Sequence, residues 1–144
     1  MGEINGAPII SDYGHHPTAI RETVAAAREF FPERRIVLVY QPHQHQRTKA
    51  LYPEFVQALM QPDALVLAEI YDVKGRESES DADISSADLL HDIREKREEE
   101  QPQWFARTLD EVSELIRAHT VPNDAVLIMG AGDIYKVAQD VCSK

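Results

Sequence analysis

The sequence predicts a three-layer α/β domain, with a mostly parallel sheet of about six strands and helices on both faces. Three observations carry this. Short apolar, β-branched runs recur at residues 7–11, 36–40, 64–70 and 125–129. The run IVLVY at 36–40 is apolar throughout rather than alternating, as in a strand buried on both faces. Segments of helical spacing separate the runs, and strands alternating with helices imply parallel crossovers.

The elements follow in order. Asn5-Gly6 is a hairpin turn signal, so a first strand precedes the run at 7–11. Pro17 opens a helix, with Ile20, Val24, Ala27 and Phe31 at helical spacing, and Phe31-Pro32 ends it. After the strand at 36–40 a single helix is expected over 48–60, with Leu51, Phe55, Val56 and Leu59 inward and Pro53 in its first turns. The next strand spans 64–70. Residues 74–83 are polar and charged and read as a loop. A helix over 85–99 turns Leu89, Leu90 and Ile93 inward. Trp104-Phe105-Ala106 is a short strand, and Trp104 reads as a core or rim aromatic. Thr108 caps the next helix, to His119, with Glu111 completing a capping box. After a turn at 121–124 and the strand at 125–129, Gly130-Ala131-Gly132 leads into a last helix that runs through Cys142.

A chain of 144 residues suits one domain, here 1–144, with one core, and 43% hydrophobic residues is ordinary for a globular protein. No apolar run approaches the roughly 20 residues of a membrane-spanning helix, and no secretory signal pattern opens the chain. The lone Cys142 makes no internal disulfide and fits a reducing, cytoplasmic setting. A net charge of −10, from 15 basic and 25 acidic residues, argues against a sequence-independent nucleic-acid binder. Much of the excess falls in 77–92 and 95–100, where solvated loop and helix surface is the plain explanation.

In an open parallel sheet the ligand site lies outside the carboxyl ends of the strands. Three of the four ends hold unusual residues. Ser11-Asp12-Tyr13-Gly14-His15-His16-Pro17 runs from a strand end to a helix start. There the helix N-terminus favours an anion, Asp12 can accept from a sugar hydroxyl, and a histidine can approach a phosphate or metal-bound water. The alternative is a capped turn with polar histidines. Gln41-Pro42-His43-Gln44-His45-Gln46-Arg47-Thr48 follows the second strand. Arg47 at a helix start sits in an unfavourable positive field unless an anion is near, and its fork suits a carboxylate. His43 and His45 have chelating spacing, but no Cys or third histidine accompanies them in sequence, so no dedicated metal site is expected. Gly130-Ala131-Gly132-Asp133-Ile134 permits a tight turn and close approach, yet it is neither G-x-G-x-x-G nor a P-loop, and strand-to-helix packing explains it as well. Glu69-Ile70-Tyr71-Asp72 offers carboxylates for an amine or water, or simply a solvated strand end. A freestanding nucleotide-binding module and a metal-binding protein using His15, His16, His43 and His45 remain alternatives on these residues.

Three blocks carry a family resemblance: Asp12-Tyr13-Gly14-His15-His16-Pro17-Thr18, then Gln41-Pro42-His43 with Arg47-Thr48, then Gly130-Ala131-Gly132-Asp133-Ile134. In order and spacing they resemble the C-terminal domain of the muramate–alanine ligases of the Mur ligase family. The match spans almost the whole chain, and its first block is highly specific. The related murein tripeptide-recycling ligases share the first block and usually lack the second. The resemblance implies a Rossmann-like sheet and an enzyme of peptidoglycan synthesis. It implies that Met1 falls at a domain junction and that an N-terminal nucleotide-sugar domain and a central ATPase domain lie outside this chain. The activity implied is ATP-dependent joining of L-alanine to UDP-N-acetylmuramic acid through an acyl phosphate, with Mg²⁺ held mainly by the central domain and this chain inert alone. It also implies roles: Asp12 at the ATP ribose, His15 near the γ-phosphate and Mg²⁺-bound water, and Tyr13, His43 and Arg47 on the substrate or the amino-acid carboxylate. Gln44 departs from the pattern, standing where many members carry Arg and leaving Arg47 alone of a basic pair. The charged stretch at 74–83 departs as well.

Overall fold

The structure, a computed structural model, describes residues 2–14, 16–43, 45–70, 85–97, 99–130 and 133–142, the side chains of 45–47 excepted. Twelve elements are described in chain order: β1 (Gly2–Ile4), β2 (Ala7–Asp12), α1 (Pro17–Phe30), β3 (Arg35–Tyr40), α2 (His45–Ala50), α3 (Tyr52–Leu59), β4 (Ala64–Ala68), α4 (Ser86–Lys96), β5 (Gln103–Ala106), α5 (Leu109–His119), β6 (Asp124–Met129) and α6 (Tyr135–Cys142). They build the expected α/β sandwich around one six-stranded sheet in the order β1-β2-β6-β3-β4-β5. Only β1 runs antiparallel. No helix among the described residues is long and apolar enough to cross a membrane.

Side-chain alternation divides the core into two layers. On β3, Ile36, Leu38 and Tyr40 face Ile20 and Val24 of α1, Phe55, Val56 and Leu59 of α3, and Leu89, Leu90 and Ile93 of α4. Val37 and Val39 face the other way, towards Val112 and Ile116 of α5 and Val137 and Val141 of α6. The unbroken apolar runs of β3, β4 and β6 therefore fill both layers, and every residue of β4 and β6 is buried.

The β1–β2 hairpin turns at Asn5 and Gly6, both with positive φ (51° and 84°), which suits an Asn-Gly pair. Asn5 Nδ2 also donates to the carbonyls of Arg117 and Thr120, closing the end of α5. At the amino end of the sheet, Asp124 is fully buried and receives Arg35 at 2.8 and 3.1 Å and the Val121 amide at 3.0 Å. The hydrogen bond to Asp124 raises the Arg35 pKa further above its usual value, against the opposing effect of burial.

Four expectations need correction. The helix expected over 48–60 is two helices, α2 and α3, broken at Leu51 (φ −111°, ψ 23°). Pro53 lacks an N–H and its ring clashes with the carbonyl four residues back, so the chain restarts there with Pro53 in the first turn of α3. The strand after residue 64 stops at Ala68, because Glu69 turns to serve α4. The helix expected over 85–99 ends at Lys96, Arg97 being extended, and starts with a capping box between Ser85 and Asp88. The box expected at Thr108 is half formed. Thr108 Oγ1 accepts from the Glu111 amide at 3.2 Å, but the Glu111 carboxylate takes the Arg107 amide instead. The loop expected over 74–83 lies outside the described residues.

Tyr52 at the start of α3 donates a very short hydrogen bond to Asp92 Oδ2 of α4. Part of the acidic run is thus engaged rather than simply solvated. Burial, and then this bond, push the Tyr52 pKa well above its ordinary 10.0. A phenol whose folded pKa is raised stabilises the fold fully below its unfolded pKa and loses that contribution as pH rises through the folded one. Tyr52→Phe should therefore lower the urea unfolding free energy by about 1 kcal/mol at neutral pH. The gap between variant and parent should shrink above roughly pH 10; a gap that is constant with pH would contradict this role.

Candidate functional site at the carboxyl ends of the strands

The register sets the site. Asp12, the last residue of β2, lies opposite Met129, the last of β6, and Met129 lies opposite Tyr40, the last of β3. The three segments singled out from the sequence leave the sheet side by side. After β2 the chain enters α1 on one face, while after β6 it enters α6 on the other. Neighbouring strands whose connections part to opposite faces open a crevice between them.

Asp12 is exposed, and local bonds orient its carboxylate. Oδ1 accepts from the Gly14 amide at 2.9 Å and Oδ2 from the Thr23 hydroxyl of α1 at 3.4 Å. Its carbonyl accepts from the Gly130 amide at 3.3 Å, tying the first and third segments. Each carboxylate oxygen keeps acceptor capacity for a ligand hydroxyl. Gly14 is needed for this packing, since a Cβ there would lie 3.0 Å from both Ala19 Cβ and Met129 Cε.

Of the two histidines that follow, His16 is the N-cap of α1. Its Nδ1 accepts from the Thr18 amide at 3.1 Å, so the neutral ring carries its proton on Nε2. The capping reading of this turn holds for His16. His15 lies outside the described residues. Tyr13 is 69% exposed, with its ring centroid 6.5 Å from that of Tyr135. The two tyrosines line a cavity of about 290 Å³ with Gly2, Ser11, Gln139 and Cys142.

On the second segment, the Gln41 amide donates to the Met129 carbonyl at 3.2 Å, extending the β3–β6 ladder by one step. His43 is half-buried just before α2. Arg47 belongs to α2, at the helix start where the sequence placed it; its side chain, and Gln44, lie outside the described residues. In the third segment Gly130 has φ 150°. A Cβ there would lie 2.8 Å from Ile134 Cγ2 and 3.1 Å from the Gln41 carbonyl, so this glycine serves close packing where strand turns to helix. Ala131 and Gly132 are not among the described residues.

Glu69 resolves as a structural residue. Its Oε1 accepts from the Ile70 and Ser86 amides, both at 3.0 Å, and the buried Ser86 hydroxyl donates to the Ala68 carbonyl at 2.6 Å. Tyr71 and Asp72 fall outside the described residues. Trp104 is a rim aromatic, half-buried and stacked on His119 at 4.5 Å. A cavity of about 630 Å³ near it, lined by Arg94, Arg97 and Gln103 among others, opens at the start of β5, away from the strand ends. Among the described residues no three His, Cys, Asp or Glu side chains gather as metal ligands.

Sequence reasoning missed two participants. Thr23 is one turn into α1 from Ala19 and carries no motif signal. Gln41 was read only as part of a block, yet the residue is 8% exposed and its Oε1 is buried with no hydrogen-bond partner among the described residues.

Comparison with known proteins agrees with this geometry. The family model described as Mur ligase, glutamate ligase domain, matches residues 1–132. A UDP-N-acetylmuramate–L-alanine ligase of Hydrogenovibrio crunogenus is 39% identical over 135 residues, covering 92% of this chain and 28% of the relative. The chain thus spans little more than a quarter of that protein. The crystal structure of a UDP-N-acetylmuramate–alanine ligase from Thermotoga maritima superposes with a TM-score of 0.67 at 27% identity, over 94% of this chain and 26% of that one. A murein peptide ligase from Psychrobacter arcticus gives a TM-score of 0.73 at 19% identity, over 99% of this chain and 28% of that one, a likeness of fold.

The turn after β6 is directly testable. Gly130→Ala should destabilise the fold by about 1–3 kcal/mol in denaturant unfolding, from a disfavoured φ together with the Ile134 contact. An unchanged unfolding midpoint would mean that the turn relaxes without cost.

Proposed function

The chain belongs to the Mur ligase family, as its glutamate ligase domain, and on that premise we propose that it is the closing, C-terminal domain of an ATP-dependent ligase joining L-alanine to UDP-N-acetylmuramic acid in peptidoglycan synthesis. The observation that carries the reading is convergence. The blocks that resemble the muramate–alanine ligases leave β2, β3 and β6 at adjacent strand ends, where a parallel sheet keeps its ligands.

In this reading the missing N-terminal and central domains hold the nucleotide sugar and the triphosphate, and this domain closes over them. A lactyl carboxylate oxygen attacks the γ-phosphorus, and the bond from that phosphorus to the β–γ bridging oxygen breaks, releasing ADP. The amine of L-alanine then attacks the acyl carbon. The tetrahedral adduct expels phosphate, and the nitrogen gives up a proton. Positioning and charge neutralisation dominate such chemistry. Asp12 accepts from the ribose hydroxyls, its carboxylate already aimed by Gly14 and Thr23. His15 stands near the γ-phosphate, and Tyr13 and His43 border the substrate. Arg47 pairs with the amino-acid carboxylate, where its fork offers two parallel bonds. The described residues do not by themselves form a Mg²⁺ site, and in this reading the ion is held mainly by the central domain.

The domain alone is expected to be inert. Mixed with ATP·Mg²⁺, UDP-N-acetylmuramic acid and L-alanine, this chain should release no phosphate. Joined covalently to its N-terminal and central domains, it should form the amide. Tight calorimetric binding of ATP·Mg²⁺ to the chain alone would favour a freestanding nucleotide-binding module instead.

The role of Arg47 is tested in the whole enzyme. Arg47→Ala should lower kcat/KM for the amino acid by about 10- to 100-fold, the scale of a lost charge-assisted pair, with Arg47→Lys intermediate. Wild-type kinetics for the alanine variant would remove Arg47 from the site.

A further inference from the structure

We propose that Thr23 is a positioning residue for the nucleotide: its hydroxyl sets the Asp12 carboxylate so that both oxygens meet a ribose diol, which makes the domain select a ribonucleotide over its 2′-deoxy counterpart. The inference deepens the ligase reading, in which Asp12 meets the ATP ribose, and rests on it.

Thr23 stands in the second turn of α1, and its neighbours fix where it reaches. Ile20 and Val24 turn into the core. Ala19, one turn before Thr23, lies against the loop after β2, where a Cβ on Gly14 would come within 3.0 Å of the Ala19 Cβ. Residues one turn apart share a helix face, so the face that brings Ala19 to Gly14 brings Thr23 to Asp12. A threonine inside a helix commonly turns its hydroxyl back to the carbonyl one turn earlier. The Thr23 hydroxyl instead donates out of the helix to Asp12 Oδ2, at 3.4 Å. Thr23 is half-buried and Asp12 exposed, so the bond joins a side chain held by its helix to one that solvent would otherwise leave free to rotate.

The other restraints on Asp12 act on its backbone and its other oxygen. Its carbonyl accepts from the Gly130 amide beyond β6, and Oδ1 accepts from the Gly14 amide at 2.9 Å. A bond to one oxygen alone leaves the carboxylate plane free to turn about it. The second bond, to Oδ2, removes that freedom. Each oxygen keeps acceptor capacity, and two carboxylate oxygens held in one plane match two parallel donors, as they do for the arginine fork. A vicinal diol is such a pair of donors. Ribose carries one at O2′ and O3′, while 2′-deoxyribose carries a single hydroxyl there. Selection comes from the loss, because a polar group set for a hydroxyl is left unpaired by the analogue that lacks it.

The experiment uses the full-length ligase that carries this chain as its last domain, with Thr23→Val, Thr23→Ser and Thr23→Ala, and reads KM for ATP and for 2′-deoxy-ATP. The parent should prefer ATP by about 10-fold or more in kcat/KM. Thr23→Val keeps the shape and removes the donor. It should raise KM for ATP by about fivefold and KM for 2′-deoxy-ATP by no more than about twofold, so the preference narrows, while kcat and the amino-acid KM stay within about twofold. Thr23→Ser keeps the hydroxyl and should restore the parent's preference. A merely structural role moves both nucleotides alike. An unchanged ratio in Thr23→Val therefore overturns the proposal, as does a loss that falls on the amino acid or the nucleotide sugar, or a parent that accepts the two nucleotides equally. Should Thr23→Val not fold, Thr23→Ala, which also lacks the donor and suits a helix, is read in its place; failure of both to fold makes Thr23 a structural residue and overturns the proposal. A parent protein that forms no amide with ATP refutes the ligase reading, and this one with it; an active parent whose Thr23 variants keep its preference refutes this one only.

Discussion

The domain depends on how β6 is seated. The last strand of the chain inserts between β2 and β3, and all six of its residues are buried. It therefore sets the register of the sheet on both sides. A slip of one residue would turn Val126 and Ile128 out of one layer and Leu127 and Met129 out of the other. The lock lies at the amino end. Buried Asp124 receives the Arg35 guanidinium through two bonds, and the Arg35 backbone amide donates to Asn123. At the carboxyl end the same register delivers Asp12, Met129 and Tyr40 level with one another. A structural ion pair at one end of the sheet thus aligns the candidate site at the other.

The two ends are satisfied differently. At the amino end each polar group named has a protein partner, and the pair is held in place by the strands it joins. At the carboxyl end the groups divide. Glu69 and His16 are taken up by helix N-termini, and what remains to them is architecture. Asp12 is held by Gly14 and Thr23 but exposed, and Gln41 Oε1 is buried with no donor among the described residues. A net charge of −10 repels polyanions at long range.

Much of this was legible in the residues. The unbroken runs of β3, β4 and β6 announced strands buried on both faces, and Asn5-Gly6 announced the hairpin. The alternation of strands and helices put the three motifs at carboxyl strand ends, and the register sets those ends side by side. The breaks were less legible. Pro53 in an amphipathic stretch is compatible with a helix start or a kink, and the structure shows the start, with Leu51 non-helical and packed against the core. The strand order was not legible either, because every central strand is apolar at every position and such runs do not say which neighbour they take. Local reading also assigns polar residues to the chemistry nearest in sequence. Glu69 offered either a site carboxylate or a solvated strand end, and it is neither, because its partner Ser86 lies 17 residues on. Gln41 had no reading apart from its block, and its burial appears only when β3, β4 and β6 are set side by side.

What distinguishes a part of an active site from a whole one is visible in how its polar groups are oriented. A complete pocket converges donors and acceptors on one enclosed volume. Here the cavity beside Tyr13 is small, at about 290 Å³, and the larger one, at about 630 Å³, lies away from the strand ends. The aligned edge itself is open, and its orienting bonds are internal: Gly14 and Thr23 to Asp12, Gly130 to the Asp12 carbonyl, Gln41 to Met129. Such a surface is preorganised without being enclosed. Its geometry is fixed by the sheet, whose register sets these strand ends level with one another. β6, buried along its whole length, ends at Gly130, whose amide ties it to Asp12 and whose missing Cβ leaves room for the Gln41 carbonyl.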